Sequence, residues 1–139
     1  MDDSMQDNNN EWVPYNDIEH HKLPSLMQEL IEIIGYNDMY TLVSTYGGYD
    51  TYIPKNPRRS KLRHLLPKDS LNNLSYAYGG TYLTLPTSRQ IDLQGRNQQI
   101  IQALESGETR SAVAKRFGLG IRQVSNIKKL QLGLVEKNA

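Results

Sequence analysis

The chain has 139 residues, of which 37% are hydrophobic and 22% charged, with a net charge of +1 and no cysteine. This length suits one domain or two small ones, and the lack of cysteine excludes disulfides, thiolate nucleophiles and cysteine-ligated zinc. No apolar run approaches the roughly 20 residues of a membrane-spanning helix, so we expect a folded cytoplasmic protein that does not enter membranes.

Charge is unevenly distributed along the sequence. Residues 1–57 hold ten acidic and two basic residues, a balance of −8, whereas residues 58–87 hold five basic residues and one acidic residue, a balance of +4. Residues 88–139 hold nine basic and four acidic residues, a balance of +5. The C-terminal half is therefore suited to a polyanion. The basic run in the linker 56–60 is interpreted either as a solvated loop or as a contact with phosphates.

The first half of the chain predicts an arm followed by two helices and a strand. Residues 1–22 are acidic and poor in aliphatic side chains, which predicts a flexible acidic arm. Apolar residues then recur at helical spacing over Leu26–Ile34 and over Met39–Tyr46. Gly47-Gly48 ends the second helix, because glycine tolerates the left-handed conformation common there. A short strand is predicted over Thr51–Ile53.

The same pattern returns 32 residues later, where Tyr78-Gly79-Gly80 repeats Tyr46-Gly47-Gly48. About eleven positions match at this offset, over residues 26–55 and 58–87. The sequence thus predicts a duplicated helix-helix-strand unit. Because so small a unit cannot bury its own apolar face, we expect the copies to pack together as four helices with their strands pairing nearby. This platform, residues 23–87, is predicted to mediate oligomerisation.

Residues 88–131 predict a three-helix helix-turn-helix domain, whose first helix is indicated from Arg96 onward. Four positions of the motif are diagnostic: one where the two helices cross closely, one where the chain turns sharply, and two where the second helix packs back on the first. Counted from Arg110, positions five, nine, fifteen and eighteen hold Ala114, Gly118, Val124 and Ile127. All four residue types suit their positions. A generic helical hairpin is the competing interpretation.

The second helix of this motif, residues 121–130, is predicted to read DNA. With Ile121, Val124 and Ile127 assigned to the core, its other side chains are polar or basic. Arginine can donate two hydrogen bonds to guanine, and glutamine or asparagine can pair with adenine. The candidate DNA-binding residues are Arg110, Ser111, Lys115, Gly120, Arg122, Gln123, Ser125, Asn126, Lys128 and Lys129.

The roles of these candidates differ. Lys128 and Lys129 suit phosphate contacts, although lysine near a helix C-terminus also favours the helix dipole. Arg110, Ser111 and Lys115 lie on the helix expected to cross the phosphate backbone. Gly120 occupies the N-cap of the reading helix, where it forfeits a side-chain contact.

Several motifs together resemble the Mor transcription activator family of phage and prophage regulators, over roughly residues 23–130. The residues that carry the resemblance are Tyr46-Gly47-Gly48, Tyr52-Ile53-Pro54-Lys55, Gly95-Arg96-Asn97, Ala114, Gly118, Leu119, Arg122, Gln123 and Val124. The resemblance implies a homodimer with intertwined N-terminal helices, a helix-turn-helix in the major groove, recruitment of RNA polymerase, and residence at the bacterial host nucleoid. The duplication departs from this pattern, since two copies in one chain can form what other members form between chains.

Catalytic and metal-binding patterns are missing from the sequence. His20 and His21 are adjacent and so do not form a zinc pair on one helix face, and His64 stands alone. We therefore expect no enzyme activity, no cofactor and no metal.

The sequence as a whole predicts a mainly α fold with short β-strands and a C-terminal tail over residues 132–139. The predicted function is sequence-specific binding of double-stranded DNA as a transcription activator of phage or prophage genes. The alternative is a protein-interaction module, such as an assembly or packaging adaptor or an antitoxin-like protein, with a secondary DNA-binding role.

Overall fold

The computed structural model describes residues 12–138, with side chains described as far as Leu130. The chain forms two compact units, Met1–Asp92 and Leu93–Ala139. The fold is mainly α-helical with two short strands, as the sequence predicts. None of the described helices combines the length and hydrophobicity that a bilayer crossing requires.

The first unit contains the duplicated platform. Its regular elements are helix α1 (Ser25–Ile34), helix α2 (Tyr36–Tyr46), strand β1 (Asp50–Ile53), helix α3 (Lys68–Tyr78) and strand β2 (Thr81–Thr84). Their buried side chains form one core, and many of them are partners in the 32-residue repeat. Leu30 and Leu62 are both fully buried, as are Leu42 and Leu74. The repeat therefore specifies matched packing positions.

The two strands form an antiparallel pair within the chain. The register pairs Asp50 with Thr84, Thr51 with Leu83, Tyr52 with Tyr82, and Ile53 with Thr81. Thr51 and Leu83, which pair with each other, are also partners in the 32-residue repeat. The repeat partners of Tyr52 and Tyr82 are Thr84 and Asp50, which pair with each other as well. The copies are therefore related by a pseudo-twofold axis through the Thr51–Leu83 pair.

The glycine pairs tie each copy to the other at equivalent places. The N–H of Gly48 donates to the carbonyl of Leu85 at 2.7 Å, and the N–H of Gly80 donates to the carbonyl of Ile53 at 2.6 Å. A Cβ on Gly47 would lie 2.7 Å from the carbonyl oxygen of Pro86. Glycine is therefore needed in the first copy because the backbone of the second copy passes against it.

The expected fourth helix of the platform is absent from its predicted place. The segment matching α1 forms two short 3-10 helices instead, Pro57–Arg59 and Lys61–His64. Pro57 and Pro67 limit the length available to a helix, and proline disfavours helical conformation in the residue before it. Leu62 still reaches the core from this shorter segment, so the duplication is preserved in packing more than in secondary structure.

The predicted flexible arm is corrected for its described part, residues 12–22. The ring of Trp12 stacks on Tyr40 with centroids 4.3 Å apart, and the hydroxyl of Tyr36 donates to the carbonyl of Val13 at 2.7 Å. Ile18 is buried in the platform core. A few well-placed apolar and aromatic groups thus dock this segment although its average composition is polar. The rest of the predicted arm, residues 1–11, lies outside the described residues.

The second unit contains most of helix α4 (Arg89–Glu105), helix α5 (Arg110–Phe117) and helix α6 (Ile121–Asn138). One predicted boundary is wrong. Helix α4 begins at Arg89 instead of Arg96, because the fully buried Ile91 packs into the core of the first unit. The backbone of α6 is helical through Asn138, so the described part of the predicted tail continues this helix.

Candidate nucleic-acid interface

Helix α5, the following turn and helix α6 are fixed by local sequence signals. The side chain of Thr109 caps α5 by accepting from the N–H of Ala112 at 3.1 Å. Gly118 ends the helix in the left-handed conformation, with φ 70° and ψ 33°. The N–H of Leu119 then donates to the carbonyl of Ala114 at 2.9 Å. This is a glycine-terminated helix followed by a tight turn into the next helix.

A small apolar core holds the three helices of the second unit together. Val113 and Val124 are fully buried, and Ala114 leaves only 3% of its surface exposed, so α5 and α6 approach closely at that residue. The cluster consists of Ile100, Ile101, Ala103, Val113, Ala114, Val124 and Ile127, with Leu104, Phe117 and Leu119 packed against it. All four diagnostic positions of the motif therefore have the structural roles that the sequence predicts.

The outward face of α6 carries the predicted reading residues. Arg122, Gln123, Asn126 and Lys129 are exposed, while Ser125 and Lys128 are half-buried. Arg122, Asn126 and Lys129 share one face, since residues four and seven positions apart align on a helix. No acidic side chain in the described part of the chain forms an ion pair with any of them. This face can therefore offer its donors to a ligand.

The predicted positions outside α6 are also accessible. Arg110, Ser111 and Lys115 on α5 are exposed, as is Gly120 at the start of α6. A Cβ on Gly120 would meet nothing within 4 Å. The N–H of Val124 donates to the carbonyl of Gly120 at 3.2 Å, so α6 begins directly after this residue. The open space means that glycine is compatible with close approach of a ligand there.

The core assignment of Ile121 is wrong. This side chain keeps 53% of its surface exposed in the first turn of α6, whereas Val124 and Ile127 are buried. It lies beside the polar reading face, where an apolar group can contact the methyl group of thymine. Helical spacing cannot predict this exposure, because Ile121 has the same spacing as the buried pair. It lies one turn before them and would be buried only if the core extended that far.

One further cation on α5, Arg116, is exposed but already engaged. Its guanidinium donates to Glu108 at 2.9 Å and lies over the ring of Phe117 at 5.2 Å. Because both contacts are internal, Arg116 is a weaker candidate for binding phosphate than Lys115, which forms no ion pair with any described residue. No cluster of three or more histidine, aspartate and glutamate side chains suited to a metal ion occurs among the described residues.

The comparison with protein families bears on this unit. Residues 98–134 match the family model of the CENP-B N-terminal DNA-binding domain. The match spans the end of α4, all of α5 and most of α6, which are the elements that build the exposed reading face. No curated protein and no solved structure matches the chain.

The geometry and the family match agree on a DNA-binding domain of the helix-turn-helix type. The match lies outside the duplicated platform and belongs to a different family from the one that the sequence resembles. The comparison therefore supports the helix-turn-helix without supporting membership of the Mor family.

Proposed function

We propose that this protein is a sequence-specific regulator of transcription that binds double-stranded DNA through the major groove. The observation that carries the proposal is the exposed polar and basic face of α6, which forms no ion pair with the described residues and lies within a segment matched by a DNA-binding family model. Val124 and Ile127 of α6 face the core, and its hydrogen-bonding residues face solvent. A recognition helix requires this arrangement, because its outward side chains contact the base edges.

The chemistry of the α6 face assigns a distinct task to each side chain. Arg122 can donate two parallel hydrogen bonds to the O6 and N7 atoms of guanine. Gln123 and Asn126 each offer an amide that can pair with the N6 and N7 atoms of adenine. Ile121 adds apolar contact with a thymine methyl group. These four residues are proposed to read the sequence.

Phosphate contacts are proposed for the cations at the edges of this face. Lys128 and Lys129 lie towards the middle of α6, and Arg110 and Lys115 lie on α5. Such contacts add affinity and fix the orientation of the protein, but they carry no base sequence. Ser111 and the backbone at Gly120 can donate to the same phosphates without adding charge.

Selection from a library of random duplexes tests the proposal. The full-length protein is equilibrated with the library in moderate salt, and the retained duplexes are sequenced over several rounds. We expect a short motif to emerge, because α6 presents several base-reading side chains. Retention of duplexes without any enriched sequence would contradict sequence-specific reading, while failure to retain any duplex would contradict DNA binding altogether.

The finer proposal is that the protein activates phage or prophage promoters as a homodimer and contacts RNA polymerase. Its support is the Mor resemblance, together with the single reading helix that each chain presents, since palindromic operators need two. Because β1 and β2 pair within one chain, this dimer must use another surface.

The mass of the protein in solution, with and without the selected duplex, tests the dimer. Two chains per duplex are expected, and one chain per duplex would contradict it. A promoter carrying the selected site upstream of a reporter gene tests activation. Expression should rise when the protein is present, whereas a fall would assign the protein as a repressor.

A further inference from the structure

The segment that joins the two copies of the platform carries the densest basic cluster of the first unit. Its five cations are all exposed: Arg58, Arg59, Lys61, Arg63 and Lys68. Asp69 is the one acidic residue among residues 58–87. We call this cluster, from Arg58 to Lys68, the basic ridge. The helix-turn-helix function does not use it, because it lies in the other unit.

The backbone of the basic ridge is held in place by capping side chains. The side chain of Asn56 accepts from the N–H of Arg58, and the side chain of Ser60 accepts from the N–H of Leu62, both at 3.0 Å. Ser60 is only 2% exposed and Leu62 is fully buried, so the middle of the segment is anchored in the platform core. The cations therefore project from an ordered support, which lowers the entropic cost of binding a ligand.

The charges of the basic ridge are not neutralised within the described part of the chain. No acidic side chain among the described residues forms an ion pair with any of its five cations. The guanidinium of Arg63 donates to the carbonyl of Arg58 at 2.8 Å, which orients it without cancelling its charge. The ammonium of Lys61 lies 5.0 Å from the ring centre of Tyr46. Both contacts position a positive charge that remains available to an anion.

The cations of the basic ridge line two grooves. One groove, of about 580 Å³, is lined by Arg58, Arg63 and Lys68. A second groove, of about 560 Å³, is lined by Arg59 and Lys61 together with several tyrosines and Asp50. The basic ridge thus presents positive charge to two grooves, a distribution suited to a ligand with several spaced negative charges.

We propose that the basic ridge is a second contact surface for the phosphate backbone of DNA, separate from the helix-turn-helix. The inference rests on the proposed function, which makes DNA the partner of this chain. Arginine and lysine bind phosphates without regard to base sequence, so the ridge adds affinity and leaves specificity to α6.

An acidic peptide gains affinity from apolar anchors as well as from charge. Leu66 and Leu71, the leucines lining the first groove, are only 5% and 4% exposed, so neither offers a surface to such an anchor. Positive charge is what the two grooves have in common, which favours a ligand that binds mainly through charge, as a phosphate backbone does.

The salt dependence of duplex binding tests the proposal. The full-length protein carrying Arg58→Gln, Arg63→Gln and Lys68→Gln is titrated with the selected duplex over a series of salt concentrations. The salt slope is the steepness with which log K decreases as log salt increases, and each lost phosphate contact lowers it by about 0.9. We expect the salt slope to fall by about 2 to 3, with the preferred sequence unchanged. An unchanged slope would overturn the proposal.

Two companion variants make the result specific to the ridge. Lys22→Gln removes an exposed lysine that is already paired with Glu19 at 2.8 Å, and the slope should not change. Arg59→Gln with Lys61→Gln tests the cations that line the second groove, and the salt slope should fall by about 1 to 2. Circular dichroism and thermal melting of each variant establish that the fold is intact, and the second pair supplies the test if the triple variant does not fold.

The outcome is separable from that of the proposed function. A wild-type protein that binds all duplexes equally, but whose slope falls in the ridge variants, would contradict sequence reading and keep the ridge. A sequence-selective protein whose slope is unaffected in both ridge variants would keep the proposed function and overturn the ridge. Polyglutamate serves as a model of an acidic protein. If the ridge variants lost binding to polyglutamate while the salt slope for DNA stayed unchanged, the surface would be assigned to an acidic protein and the proposal would be overturned.

Discussion

The two copies of the platform share their packing and differ in their charge. Partners 32 positions apart are buried alike, as with Leu30 and Leu62 or Ile53 and Leu85. Residues 26–55 nevertheless hold four acidic residues and one basic residue, whereas residues 58–87 hold five basic residues and one acidic residue. The pseudo-twofold symmetry thus constrains the buried side chains of the two copies, whereas their exposed side chains differ in charge and can have different functions.

The largest expected effects on stability come from truncating core side chains that are partners in the repeat. Leu30→Ala and Leu62→Ala each remove a fully buried leucine, one from an α-helix and one from a 3-10 helix. Each should lower the free energy of unfolding by about 3 kcal/mol, measured by urea denaturation. If Leu62→Ala cost much less than Leu30→Ala, the second copy would not be an equal part of the core.

Alanine at Gly47 or at its repeat partner Gly79 should destabilise the protein to different extents, although the two positions are equivalent in the repeat. The Cβ of Gly47→Ala would lie 2.7 Å from the Pro86 carbonyl oxygen, whereas that of Gly79→Ala would lie 3.0 Å from the Cα of Lys55. Both changes overpack a backbone crossing, at a cost of about 1 to 3 kcal/mol. We expect Gly47→Ala to be the more destabilising of the two in thermal melting, and the reverse order would contradict the described crossing.

A smaller effect of opposite sign is expected at Ser75, the partner of Val43 in the repeat. Val43 is buried in the first copy, but Ser75 buries a hydroxyl oxygen that has no hydrogen-bond partner among the described residues. Removing it with Ser75→Ala should raise the free energy of unfolding by about 1 kcal/mol. Ser44→Ala, at an exposed position of α2, serves as the control and should be nearly neutral. Destabilisation by Ser75→Ala would show that the hydroxyl is satisfied.

A pH effect distinguishes Tyr40 from Asn72, its partner in the repeat. Burial, and then the hydrogen bond from its hydroxyl to Asp92 at 2.9 Å, raise the pKa of Tyr40 to about 12 from its usual 10. The unfolded chain therefore loses this proton first, so stability falls as pH rises between 10 and about 12. Tyr40→Phe should flatten that fall in alkaline melting curves, and an unchanged curve would contradict the assignment.

Much of the fold follows from local chemistry that the sequence displays. The ends of the helices and the four diagnostic helix-turn-helix positions depend on steric demands within a few residues. Thr109 and Gly118 are good examples, because a cap and a left-handed glycine act on their own neighbours. The repeat offset also revealed that the two copies pack together, since it pairs residues at matching core positions.

The missed features depend on contacts between distant residues. The segment around Val13 docks because Tyr36 and Tyr40 offer an aromatic surface, and helix α4 begins early because Ile91 finds a place in the platform core. The exposure of Ile121 depends on where the small core of the second unit ends. None of these is visible in local periodicity, since each is decided by tertiary packing.

The central claim, that α6 reads DNA sequence, is tested most directly by comparing Arg122→Ala with Lys129→Ala on selected and scrambled duplexes. Both residues are exposed on the same face of α6. Arg122→Ala should cost about 1 to 3 kcal/mol on the selected duplex and relax the preference at one base pair. Lys129→Ala should weaken both duplexes alike and lower the salt slope by about 1. If both variants weakened the selected and scrambled duplexes equally, α6 would bind phosphates only and the claim would fail.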